Sequence, residues 1–109
     1  MIHILGEITV RPGMAAGCGA ASRETYFPLA EKRGMTLQNA WMTPPAPMPD
    51  KPNSLLFLWT VPDAPAWWRM RYGAFDPQVS AFWRSTETMV LERRRVFLGA
   101  QPSELATDA

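Results

Sequence analysis

The chain has 109 residues, a formal net charge of +1, one His, one Cys, five Trp and eleven Pro. That length allows one domain and no second core, and 47% apolar with 19% charged residues is the composition of a folded chain, not a disordered one. The balance excludes a strongly basic nucleic-acid binder or acidic-membrane binder. The single Cys and single His exclude an intrachain disulfide framework and any polyhistidine or multi-cysteine metal site within one chain, and no cofactor is implied.

Met1 to Glu7 has no basic leader and no long apolar run, so it does not read as a signal peptide. The longest aliphatic and aromatic run, Leu55 to Trp59, is far short of the roughly 20 residues of a spanning helix. No membrane partner is therefore expected, and a cytoplasmic location is the expectation.

Residues 2–10 alternate and stop at Arg11-Pro12-Gly13, which predicts a strand and a turn. Met14 to Arg33 reads as helix, weak in its first half. Seven of nine residues from Gly13 to Ala21 are Gly or Ala, a composition that suits close packing. Pro28 lacks an N–H and crowds the carbonyl of Glu24, so the ladder should break there. Gly34 stands where a helix end wants a left-handed residue, just after Lys32 and Arg33. Met35 to Thr43 is the second strand, and Pro44 to Pro52, with five prolines in nine residues, must be a loop. Ser54 to Val61 is continuously apolar and predicts a strand buried on both faces.

Asp63 and Asp76 precede two short helices as caps, with Pro65 and Pro77 in their first turns. Trp68, Tyr72 and Phe75 form one apolar stripe, and Val79, Phe82 and Trp83 form another. Glu87 to Leu98 closes the domain as a strand, and Gln101 to Ala109 reads as a frayed tail. The order β-α-β-β-α-β predicts an α+β, ferredoxin-like sheet with helices on one face, and a domain over residues 1–100. Because helices cover only one face, the open face is expected to pair with a second copy and form a homodimer.

Several segments then resemble the NIPSNAP family: Thr9-Val10-Arg11-Pro12-Gly13, Ala40-Trp41-Met42-Thr43, and Asn53 to Trp59. Arg69 to Phe75, Asp76-Pro77, Phe82 and Thr88 to Leu98 continue the likeness in order, so that it covers residues 2 to 99. The resemblance implies a dimeric α/β barrel whose two sheets enclose a cavity. Its superfamily includes small monooxygenases, haem-degrading enzymes, chlorite dismutases, isomerases and dehydratases. The family's first strand carries polar residues where this chain has Ile4, Gly6 and Ile8, and often a His where this chain has Phe57, so the resemblance implies an unusually apolar cavity.

Three functions follow as expectations. In the first, a homodimer binds a small apolar or aromatic molecule, with Trp59, Trp41 and Phe57 as walls and Ile4, Gly6 and Ile8 as floor. In the second, a cofactor-free monooxygenase or isomerase would use His3 or Glu7 as base. These two share a strand face about 13 Å apart and do not form a catalytic pair by themselves. In the third, the Pro44–Pro52 segment and an exposed Trp dock another protein without catalysis. Arg93 and Arg95 alternate away from Arg94, so the three are no single patch; they and Arg69 and Arg71 read as solvated or ion-paired positions. Cys18 reads as a small buried hydrophobe. Gly17 to Ser22 only approximates a dinucleotide fingerprint, inside a helix rather than before one.

Overall fold

The computed structural model describes residues 1–101, so all but the first residue of the expected tail lies outside the described residues. Strand β1 (Ile2–Val10) leads into helix α1 (Ala15–Ala21), a π-helical turn (Ser22–Tyr26) and helix α2 (Phe27–Lys32). Strands β2 (Thr36–Thr43) and β3 (Asn53–Val61) follow, then helices α3 (Ala64–Gly73) and α4 (Pro77–Ser85) and strand β4 (Val90–Leu98). The strands form one antiparallel sheet in the order β2-β3-β1-β4, as a ferredoxin-like chain path requires. Among the described residues no helix is long and apolar enough to cross a membrane.

Pro28 does not end the first crossover. The π turn takes up the lost ladder bond: the N–H of Phe27 reaches five residues back to the carbonyl of Ser22, and α2 restarts with Pro28 in its first turn. Gly34 then closes α2 at φ +85°, with the N–H of Met35 on the carbonyl of Ala30. Asp63 and Asp76 cap α3 and α4 through their Oδ1 atoms, each accepting a backbone N–H at 2.9 Å. Strand β4 starts later than Glu87, because residues 86–89 make a turn fastened by Thr86, whose carbonyl accepts the Met89 N–H.

The helices cover the sheet face that carries Ile4, Ile8, Val10, Leu55, Phe57, Trp59 and Val61, all buried. Leu56 and Leu58 alternate to the other face and stay half-buried, so one chain buries only one side of β3. The stripe expected on α3 is reversed. Trp68, Tyr72 and Phe75 point outward, Phe75 at 82% exposure, while Ala66 and Met70 face the sheet. The Asp63 cap fixes the first turn of α3, its Oδ1 accepting the Ala66 N–H. On α4, Val79 and Phe82 are buried as their spacing predicts.

The glycines of α1 do not serve close packing. A Cβ added at Gly17 would meet only the sulfur of Met89, at an ordinary 3.7 Å. Gly17→Ala is therefore expected to stabilise the fold by about 0.5–1 kcal/mol, read as a raised urea midpoint with an unchanged slope.

Candidate functional site

A cleft of about 420 Å³ opens between the sheet and the helices of one chain. Strand pairing builds its floor. Ile4 lies opposite Trp59, Gly6 opposite Phe57 and Ile8 opposite Leu55, so alternation turns all of them toward the helices. Gly6 leaves the middle of this floor bare: a Cβ there would meet only the Phe57 backbone oxygen, at 3.9 Å. Tyr26 from the π turn and Trp83 from α4 form the opposing wall, their ring centres 4.9 Å apart. Tyr26 also meets Trp59 edge to face at 6.2 Å.

Five of the expected cavity residues (Ile4, Gly6, Ile8, Phe57 and Trp59) thus line one space. That space lies within a single chain, under its own helices, and not between two sheets. Trp41 does not line this cleft; it lines a separate pocket beside α1 that Phe57 also borders. It pairs with Leu56, which alternates away from the helices, and it is half exposed. A register shift between Leu37 and Asn39 sets this phase of β2. His3 and Glu7 also belong to the open face, paired with Thr60 and Leu56, so their side chains point away from the cleft.

The cleft has a cationic end, built by arginines expected from sequence to be solvated or ion-paired. Register puts Arg95 beside Gly6 and Arg93 beside Ile8, on the helix-covered face. The Arg93 guanidinium lies 3.8 Å over the ring of Trp83, and that of Arg95 lies 5.0 Å from the ring centre of Phe97. Arg33 reaches the same cleft from the end of α2, its Nε and Nη2 donating to the Met70 carbonyl at 3.1 and 2.9 Å. Burial holds Arg93 and Arg95 below the usual guanidinium range, and for Arg95 the neighbouring Arg33, Arg71 and Arg93 act in the same direction, against Tyr26. Both remain cations at neutral pH. Alternation in β4 was the available signal for this arrangement; Arg33, 37 residues from Met70 in sequence, had none.

Cys18 is buried, receives no part in the cleft, and burial pushes its thiol up despite its contact with Ser22. The folded thiol therefore holds its proton more tightly than the unfolded one. Its contribution to stability is complete below the ordinary thiol pKa and declines as pH rises past it. Iodoacetamide at pH 8 is expected to label Cys18 only after denaturation, as mass spectrometry would read it.

No family model matches the chain, and no curated protein matches it. Solved structures do. A NIPSNAP domain protein from Burkholderia xenovorans superposes with a TM-score of 0.72 at 18% identity, over 93% of this chain and 95% of that one. A NIPSNAP family protein from Agrobacterium tumefaciens gives 0.70 at 9% identity, over 90% and 86%. Its fold is the NIPSNAP fold. The same architecture extends to a putative antibiotic biosynthesis monooxygenase from Nitrosomonas europaea, with a TM-score of 0.66 at 10% identity over 92% and 98%. At these identities the likeness to NIPSNAP proteins is one of fold, and chemistry has to be argued from the cleft.

Proposed function

We propose that this protein is a homodimeric binder of a small, flat, apolar or aromatic molecule, held in the cleft between its sheet and helices. The observation that carries this reading is the bare floor at Gly6 between Ile4, Ile8, Phe57 and Trp59, with Tyr26 and Trp83 above it. A strand centre without a side chain forgoes packing at the position where a core residue would otherwise sit. A cleft of about 420 Å³ suits a one- or two-ring molecule.

The homodimer rests on the open sheet face. Leu5, Leu56 and Leu58 are half-buried there, and Val96 and Leu98 are exposed beside them on β4. A second sheet of the same kind would remove this apolar surface from water. Leu58→Glu is expected to convert the dimer to monomer at micromolar concentration with an unchanged far-UV spectrum, as light scattering would measure.

The test of binding is native mass spectrometry of freshly purified protein, followed by titration with 1-naphthamide. A dimer that takes up one naphthamide per chain supports the reading. A protein that binds none at millimolar concentration contradicts it.

A further inference from the structure

We propose that the molecule held in the cleft is an aromatic carboxylate, its anionic head at the Arg93–Arg95 end and its ring over Gly6. This deepens the reading of the cleft as a binding site and rests on it.

Four arginines line one cleft: Arg33 just after α2, and Arg93, Arg94 and Arg95 on β4. Arg94 pairs with Glu7 and alternates to the opposite face, which leaves three guanidiniums on the helix-covered side. The acidic residue among the lining residues is Glu7, and its side chain alternates to the opposite sheet face with Leu56. Among the described residues, the groups whose charge acts on Arg95 are Tyr26, Arg33, Arg71 and Arg93, with no carboxylate. Positive charge is thus gathered at one end of an apolar space, and among the described residues no carboxylate side chain on the helix-covered face of the cleft lining balances it. An anion entering there would relieve the mutual repulsion of the guanidiniums as well as pair with them.

The three arginines have different tasks. Arg33 is committed: its Nε and Nη2 hold the Met70 carbonyl, and its stem passes over Gly73, where a Cβ would come within 2.8 Å of its Cγ. It contributes a fixed charge to the cleft. The Arg93 and Arg95 guanidiniums lie 3.8 and 5.0 Å from the ring centres of Trp83 and Phe97, and a guanidinium stacked by its face on a ring keeps its N–H edge free to bond. An edge-on guanidinium is the geometry that takes a carboxylate with two parallel hydrogen bonds. Gly6 pairs directly with Arg95 and lies one alternation from Ile8, the partner of Arg93. The charged end and the bare apolar floor are therefore adjacent, and a ring bearing a carboxylate spans both.

The experiment compares two probes of the same shape, 1-naphthoate and its neutral amide 1-naphthamide, by calorimetry on the wild-type protein and on the double variant Arg93→Met, Arg95→Met. Both substituted positions are on the exposed edge strand β4, and circular dichroism checks that the fold is kept. In the wild type, naphthoate is expected to bind about tenfold or more tightly than the amide, the range for a hydrogen bond to a charged group. In the double variant that preference is expected to vanish, the ratio of the two affinities being the readout because substitutions in the cleft lining can move both affinities together. Equal affinities in the wild type, or a preference that survives in the double variant, would overturn the carboxylate assignment while leaving the cleft a binding site. Failure of both probes to bind would instead overturn the reading of the cleft itself.

Discussion

Asn53→Ala is expected to lower the unfolding free energy by about 3 kcal/mol, from three partly buried hydrogen bonds at roughly 1 kcal/mol each. Asn53 opens β3 and is 2% exposed. Its Oδ1 accepts the Met48 N–H at 2.8 Å, and its Nδ2 donates to the carbonyls of Pro44 and Ala46 at 3.1 and 3.0 Å. A proline-rich segment has few N–H groups with which to form its own ladder, so one amide side chain serves it as a backbone would. The Met48 carbonyl in turn accepts the Gly13 N–H at 2.9 Å, where Gly13 adopts φ +79°. This ties the segment to the turn after β1. Truncation leaves two carbonyls and an N–H without partners. Asn53→Asp retains the acceptor for Met48 but sets a carboxylate against the carbonyls of Pro44 and Ala46. It is expected to be at least as damaging at neutral pH and to recover part of the loss as acid returns the proton. Urea denaturation of the three proteins measures both effects, and an alanine variant within about 0.5 kcal/mol of wild type would contradict this account of the segment.

Gly6→Val has the largest expected effect on binding, and its sign on stability is the reverse. Glycine in a central strand costs about 0.5–1 kcal/mol of stability, and valine is a strand former. The first added carbon meets nothing closer than 3.9 Å. The substitution is therefore expected to raise the urea midpoint. The two methyl groups, however, project from the floor of the cleft toward Tyr26 and Trp83, where the flat molecule would lie. Affinity for 1-naphthamide is expected to fall about a hundredfold or more, since overpacking a filled site costs roughly 1–3 kcal/mol and the lost ring contacts add to it. Gly6→Ala, with one small carbon, is expected to fall between the two. A stabilised valine variant that binds as well as wild type would show that the space over Gly6 is not where the molecule sits.

The parts of the fold written in local chemistry were legible from the sequence. The two Asp caps, the Gly34 helix end and the alternation of β1 each depend on residues a few positions apart, and each is present. The likeness to NIPSNAP proteins in fold was legible for the same reason, through short segments in order. The grouping of Ile4, Gly6, Ile8, Phe57 and Trp59 also follows from alternation, once β1 lies beside β3. Trp41 escaped because its face depends on a register shift in the middle of β2, which no period in the sequence marks. The outward stripe on α3 escaped because periodicity finds a stripe and does not say which way it points. Trp68, Tyr72 and Phe75 look like a core face by composition, yet Arg33 and its grip on Met70 occupy the inner side. Arg93 and Arg95 face together by alternation, but their role depends on which sheet face the helices cover, and that is a property of the whole fold.

The cleft within one chain is the central claim, and the indole N–H signals of the five tryptophans report on it directly. In a two-dimensional nitrogen-15 spectrum titrated with 1-naphthamide, the signals of Trp59 and Trp83 are expected to move, because both line the cleft. Those of Trp41 and Trp68, half exposed and outside the cleft lining, are expected to stay in place. Saturable shifts at Trp41 with none at Trp59 and Trp83, or no shifts at all, would contradict it.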